Sequence, residues 1–317
     1  MPVNYIINQR MKRRAKGGDA VIYSDITSLF KYLPERMTRI LAAVPEKIWT
    51  GATEIRLRTG SPFTITVKGK SIALNNDGKP CPIGGGIKCT KKDIADCVSL
   101  LSRYSLYSFE ETIKKGYIPL SEGGRAGICG TAVSGLNGIT TFSEITSVNL
   151  RIHRLYPDFA TPLAELFRRD GPFGTLVFSP PGLGKTSFLR SAAILISGSE
   201  FGLELKTALV DQRCEIFLPE MSGKLIDVIS GCSKAEGIEL VTRSMSPQVI
   251  ICDELSESDC VPLLNAQNSG VVLIASAHGN NLDGIFKRPF MKKLFESGIF
   301  DYAVNIGDGY SVRIERI

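Results

Sequence analysis

The 317-residue chain is poor in the residues that staple or metallate a small fold. It has two histidines and one tryptophan, and its eight cysteines (81, 89, 97, 129, 214, 232, 252 and 260) include no C-x-x-C pair. Scattered in this way they read as free, mostly buried thiols of a reducing compartment, not as a disulfide framework or a zinc site. No apolar run approaches the roughly 20 residues that span a bilayer, and the N-terminus lacks the apolar core of a signal peptide, so the chain is expected in the cytoplasm. Repeats of about 20–50 residues and coiled-coil heptads are missing too, which excludes solenoids and long rods.

What is present is an apolar fraction of 43% in a chain long enough for about two domains. The formal charge of +6 is mild, but Arg10, Lys12, Arg13, Arg14 and Lys16 concentrate it just before Gly17-Gly18. Residues 1–20 therefore read as a basic flexible arm, either simply solvated or in contact with anionic lipid or nucleic acid.

Apolar groups at helical spacing over residues 25–45 predict two short helices joined near Pro34. Alternation on both sides of Thr59-Gly-Ser-Pro62 predicts a hairpin over 54–70, and the Asn/Asp/Gly/Pro-rich stretch 75–86 a surface loop. Residues 91–111 turn helical, and 116–133 return to short strands around Gly123-Gly124. An α+β domain over 21–156 follows. Beyond Pro157 strand candidates at 175–179, 207–211, 248–253, 271–276, 301–306 and 310–316 alternate with helical stretches over 157–317. Such alternation predicts an α/β domain with a mostly parallel sheet, whose ligands bind beyond the carboxyl ends of the strands.

At the first of those ends lies Ser179-Pro-Pro181-Gly182-Leu183-Gly184-Lys185-Thr186-Ser187. A buried strand, a Gly/Pro turn ending in Gly-Lys-Thr and a following helix together predict a nucleoside-triphosphate cradle. Gly182 and Gly184 would let the backbone curl so that amide groups of residues 182–187 converge on phosphates at a helix N-terminus. Lys185 would reach the β- and γ-phosphates and Thr186 would bind Mg²⁺. Ser179 stands where the usual pattern has its first glycine, which requires a negative φ there.

The run Val249-Ile-Ile-Cys-Asp253-Glu254 is a buried strand ending in two acids, about 70 residues after the phosphate loop. Asp253 is expected to hold Mg²⁺ and Glu254 to polarise the attacking water. Ala208-Leu-Val-Asp211-Gln-Arg-Cys-Glu215 delivers a second acidic pair, in which Asp211 or Glu215 would orient water or Mg²⁺ or else form a salt bridge with Arg213. His278 ends the apolar strand Val272-Leu-Ile-Ala-Ser-Ala, where it would feel the γ-phosphate or serve as a core or capping histidine. Arg243 precedes the acidic strand and would pair with the acids or reach a neighbouring subunit.

The run from Gly231-Cys-Ser-Lys to Cys252-Asp-Glu254, with Ser276-Ala-His-Gly279 and Lys287-Arg-Pro289, closely resembles the stage III sporulation protein AA family. Leu33-Pro-Glu-Arg36, Glu54-Ile-Arg-Leu-Arg-Thr-Gly60, Ser105-Leu-Tyr-Ser-Phe-Glu110, Gly116-Tyr-Ile118 and Gly123-Gly-Arg-Ala-Gly127 fit it as well, so the resemblance covers roughly residues 25–310. That family is similar to secretion and pilus-type ATPases, which implies a RecA-like P-loop motor behind an N-terminal domain, ATP and Mg²⁺ as cofactors, and a homo-oligomeric ring, hexameric by the resemblance. It also implies arginine fingers from the N-terminal domain: Arg56, Arg58, Arg125, Arg151 and Arg154 are the candidates, Arg125 first. Gln212 stands where the family's pattern has an acid after Asp211. The function implied is a motor in the mother cell of an endospore-forming bacterium. Docked on membrane components from the cytoplasmic side, it would serve a secretion-like channel to the forespore needed for late forespore gene expression.

Two other readings compete. A nucleic-acid motor is disfavoured because the chain shows no aromatic-interleaved basic stripe and no appended nucleic-acid module. A non-hydrolysing assembly protein, locked by nucleotide, draws support from Ser179 and Gln212, whereas Lys185, Thr186, Asp253 and Glu254 speak for hydrolysis.

Overall fold

A computed structural model describes residues 22–23, 26–121, 123–136 and 138–317. The basic arm read over residues 1–20 lies outside the described residues. The chain divides into two compact units that meet in sequence at Arg154 and Leu155.

In the first unit a seven-stranded antiparallel sheet runs in the order Pro80–Cys81, Lys70–Leu74, Thr64–Val67, Ala52–Arg58, Gly138–Arg151, Arg125–Gly135, Tyr117–Pro119. Alternation places Ile55 and Leu57 in the core beside Phe63, Ile65, Met37 and Leu41, and turns Glu54, Arg56 and Arg58 to the other face. The helix Lys91–Leu101 packs on that core through Ile94, Cys97 and Leu101, and its start is set by a capping box in which Thr90 and Asp93 bond each other's backbone N–H. The sequence pattern did not announce Gly138–Arg151, the longest strand of the unit. Its first nine residues run beside Gly130–Gly135 and are mostly exposed, only Phe142 and Ile145 reaching the core among their apolar residues, so the one-sided apolar period written into them is weak.

The second unit holds another seven-stranded sheet, in the order Ile226–Ser230, Thr207–Asp211, Val249–Cys252, Val272–His278, Thr175–Ser179, Tyr302–Ile306, Val312–Arg316. Its first six strands are parallel and the last is antiparallel. Successive strand residues feed two cores. Val177, Leu209, Ile251 and Ile274 pack with the helices Thr161–Asp170 and Lys185–Ser197, while Leu176, Phe178, Val210 and Ile250 pack with Lys234–Ser244, Cys260–Asn268 and Pro289–Glu296. Helices on both faces leave Thr175–Ser179, Thr207–Asp211 and Val249–Cys252 wholly buried, which is why they read as continuous apolar runs. Ile226–Ser230 was missed because it is the sheet's edge, with no fully buried residue and no such run.

Candidate active site

Four adjacent strands of the second sheet end at one edge, with Asp211, Asp253, His278 and Ser179 at or just beyond their carboxyl termini. Ser179 and His278 are direct register partners. In a doubly wound sheet this edge is where a ligand crevice forms.

The fully buried strand Thr175–Ser179 delivers the chain to Pro180 and Pro181, and the helix Lys185–Ser197 begins immediately after Gly184. Gly182 and Gly184 have φ of +83° and +94°, values open to glycine and strained for other residues. At Gly184 a Cβ would also come within 3.3 Å of Phe159 and 3.4 Å of Tyr310, so the position is held by sterics twice over. Ser179 needs no such freedom: it is absent from the residues with positive φ, and its hydroxyl donates to the Pro180 carbonyl at 2.9 Å. Thr186 and Ser187 lie half-buried in the first helical turn.

Lys185 is 6% exposed, and its Nζ donates to the carbonyls of Ser179 at 2.9 Å and Pro180 at 3.1 Å and to the Ser179 hydroxyl at 3.3 Å. All three acceptors are neutral, and among the described residues Lys185 enters no ion pair. Burial pulls its pKa below the ordinary lysine value, with the charge of Glu254 working in the opposite sense. A buried ammonium satisfied by two carbonyls and a hydroxyl, at a helix N-terminus, is a cradle suited to an anion.

Asp253 is 4% exposed, and burial pushes its carboxyl up to about 6, against the opposing charge of Lys234. Glu254 next to it has φ of +35°. Its Oε1 lies 2.8 Å from His278 Nε2 and its Oε2 forms an ion pair with Arg213 Nη1 at 2.6 Å. Burial raises this carboxyl, but the His278 hydrogen bond and the Arg213 charge outweigh it and hold the group below its usual value. The left-handed backbone at Glu254 is fixed from both sides: its N–H donates to Ser276 Oγ at 3.0 Å, and Lys234 Nζ donates to the carbonyls of Asp253, at 2.8 Å, and Glu254. His278 Nδ1 is buried without a partner among the described residues, and the His278 carbonyl accepts from Arg288 Nη2 at 2.6 Å.

The structure gives several of these residues partners that local spacing does not announce. The oxygens of Asp211 accept the N–H groups of Glu215 at 2.8 Å, Ile216 at 2.9 Å and Phe217 at 2.9 Å, which fastens the turn after its strand. Burial raises its pKa and those N–H groups oppose the rise. Glu215, half-buried, contributes its carbonyl to the buried Arg190 at 3.1 Å. Arg213 pairs with neither acid of its own turn but with Glu254, a contact between residues 41 positions apart that no local spacing announces. Arg243 is exposed in the last turn of Lys234–Ser244 and, among the described residues, is paired with none of the acids.

The finger candidates lie in the first unit. Arg56 pairs with Glu54 at 3.0 Å, Arg58 reaches the Thr64 hydroxyl at 3.5 Å, and Arg125 sits 5.4 Å over the Tyr117 ring. Arg154 donates to the carbonyls of Trp49 at 3.0 Å and Ala52 at 2.6 Å, a structural clasp, and Arg151 ends the long strand exposed.

Among the described residues no group of three or more His, Cys, Asp and Glu side chains could by itself hold a metal ion. Mg²⁺ that shares substrate phosphates asks for only one or two protein oxygens, and Thr186 with Asp253 offers two.

Comparison with known proteins gives the family and the fold. The model of the family described as sporulation stage III, protein AA matches residues 26–312. The stage III sporulation protein AA of Bacillus subtilis (strain 168) is 36% identical over 284 residues, spanning 87% of this chain and 89% of that protein. An uncharacterized protein ycf45 of Cyanidium caldarium is 24% identical over 286 residues, spanning 86% of this chain and 74% of its own. Among solved structures, the Legionella pneumophila ATPase DotB superposes with a TM-score of 0.56 at 14% identity over 90% of this chain and 81% of DotB. The pilus retraction motor PilT with bound ADP gives 0.56 at 17% identity over 86% and 80%. The fold is that of the RecA-like secretion ATPases. The chain belongs to the stage III sporulation protein AA family.

Proposed function

We propose that this protein binds ATP with Mg²⁺ and hydrolyses it as the motor of a sporulation-specific, secretion-like channel between mother cell and forespore. In this reading residues 157–317 are the motor domain and 21–156 an N-terminal domain that completes the site of a neighbouring subunit in a homo-oligomeric, hexameric ring. Among the described residues no helix is long and apolar enough to cross a membrane, so the ring would dock from the cytoplasmic side on membrane components of the channel. The observation that carries the ATP reading is Lys185, a buried ammonium bonded only to neutral loop atoms and placed near Glu254.

The chemistry follows from these residues. On binding, Lys185 exchanges the Ser179 and Pro180 carbonyls for phosphate oxygens, and the amides of residues 182–187 take the rest. Thr186 and Asp253 would hold Mg²⁺, which would supply positive charge against the phosphates. Glu254 orients the attacking water and takes its proton on a carboxylate oxygen, with His278 fixing the carboxylate from Oε1. Arg125 or Arg56 would serve as the finger supplied across subunits, and Arg243, exposed at its helix end, as a contact to the neighbour.

A second reading, a nucleotide-locked scaffold without turnover, is favoured by one observation: both carboxylate oxygens of Glu254 are engaged, by His278 and Arg213. Binding of labelled ATP to the wild type and to Lys185→Ala tests the site common to both readings, since loss of the ammonium abolishes binding. Sporulation by a Glu254→Gln strain separates them: failure supports the motor, wild-type sporulation the scaffold.

A further inference from the structure

Arg213 is a half-exposed residue on the turn that follows the strand Thr207–Asp211, the direct neighbour of Val249–Cys252. The turn is rigid. Asp211 holds three of its N–H groups and Cys214 takes φ of +55°. From that base one nitrogen, Nη1, reaches Glu254 Oε2 at 2.6 Å. Among the described residues no other hydrogen bond or ion pair engages the rest of the guanidinium, which carries five N–H donors in a planar fork and can hold two anions at once.

The neighbouring cations are committed elsewhere. Lys234 is buried and bonded to the carbonyls of Asp253 and Glu254, with Asp259 at 3.3 Å, and Arg288 is bonded to the His278 carbonyl. Lys185 is anchored in its loop and stands to meet the phosphates there. A terminal phosphate placed between Lys185 and Glu254 would set two like charges against each other. The partly screened repulsion of two charges about 4 Å apart disfavours that arrangement, and a cation between them relieves it. We infer that Arg213 is that cation: it reads the γ-phosphate within its own subunit, holding it with the nitrogens that Glu254 leaves unused, so that a triphosphate is bound more tightly than a diphosphate. The inference rests on the nucleotide reading above and extends it to discrimination between triphosphate and diphosphate.

The test is binding of AMP-PNP and of ADP, each with Mg²⁺, to the full-length wild type, Arg213→Ala, Arg213→Lys and Glu254→Gln. A charged hydrogen bond to phosphate corresponds to about 10- to 100-fold in affinity. Arg213→Ala is expected to weaken AMP-PNP by about that factor with ADP changed less than about twofold, and Arg213→Lys to recover part of it. Glu254→Gln, which frees Arg213, is expected to bind AMP-PNP more tightly with ADP unchanged. Equal losses for both nucleotides, or no change for either, overturn the assignment. So does a turnover gain in Arg213→Ala with the preference for AMP-PNP intact, which would leave only a brake. A wild type that binds neither nucleotide fails at the earlier step and removes the site reading itself.

Discussion

Lys234 lies under Glu254. Its Nζ donates to the carbonyls of Asp253 and Glu254 and forms an ion pair with Asp259 at 3.3 Å, with the lysine 6% and Asp259 2% exposed at their side chains. A lysine at the first position of a helix opposes the helix dipole, so this placement is held by its partners and not by helix preference. Lys234→Met leaves Asp259 buried and unpaired, and unfolding in denaturant is expected to show a loss of about 3–5 kcal/mol. Adding Asp259→Asn should recover much of that stability while turnover stays down by about tenfold or more, because the Glu254 backbone is no longer held. Full turnover in the stable double variant would remove Lys234 from the account of the site.

Asp253 carries a pH signature. Burial pushes its carboxyl up to about 6, above the ordinary value of about 3.9 in an unfolded chain. The native state then binds this proton more tightly than the unfolded state. The group costs nothing below about pH 4, where both states are protonated; stability falls as pH rises through about 4 to 6, and the loss is complete above 6. Asp253→Asn should therefore raise stability by about 1–3 kcal/mol near pH 7.5 and leave it unchanged near pH 4, in melts without Mg²⁺ or nucleotide. An equal shift at both pH values would contradict the burial argument.

How much of this was legible depended on burial. Val249–Cys252 and Thr175–Ser179 are covered on both faces, so their apolar runs stand out and the residues after them could be assigned as strand-end chemistry from spacing alone. The first part of Gly138–Arg151 and the edge strand Ile226–Ser230 are mostly exposed or half-buried and carry no clear one-sided period. Nothing in the local pattern marks Lys234, because its role depends on Asp259 and on the turn at Glu254, which only the folded chain brings to it. Asp211 was assigned chemistry because acids at strand ends often have it; the three N–H groups it accepts belong to a turn whose path no local pattern fixes.

Asp211→Ala orphans three backbone donors in a buried turn, and a stability loss of about 3 kcal/mol or more is expected from thermal unfolding. Asp211→Asn, which keeps an acceptor oxygen, should lose less. Nucleotide binding titrated with Mg²⁺ should show the same Mg²⁺ dependence in Asp211→Asn as in the wild type, whereas a weakened dependence would restore Asp211 as a metal ligand.

Ser179→Gly tests the departure at the head of the phosphate loop. The wild-type position does not use a left-handed backbone, so glycine adds freedom to the unfolded chain and removes the hydroxyl's hydrogen bonds to the Pro180 carbonyl and from Lys185, and should cost about 1–2 kcal/mol. ATP affinity and turnover should stay within about twofold. A large gain in turnover would mean that the serine restrains the loop.

The central claim is that Glu254, with Lys185 and Asp253, turns over ATP in a site completed by a neighbouring subunit. Steady-state hydrolysis by the wild type beside Glu254→Gln, over protein concentrations that span assembly, tests it most directly. The account predicts specific turnover that rises with protein concentration and vanishes in Glu254→Gln; ATP bound without turnover at every concentration, or equal turnover in the two proteins, would contradict it.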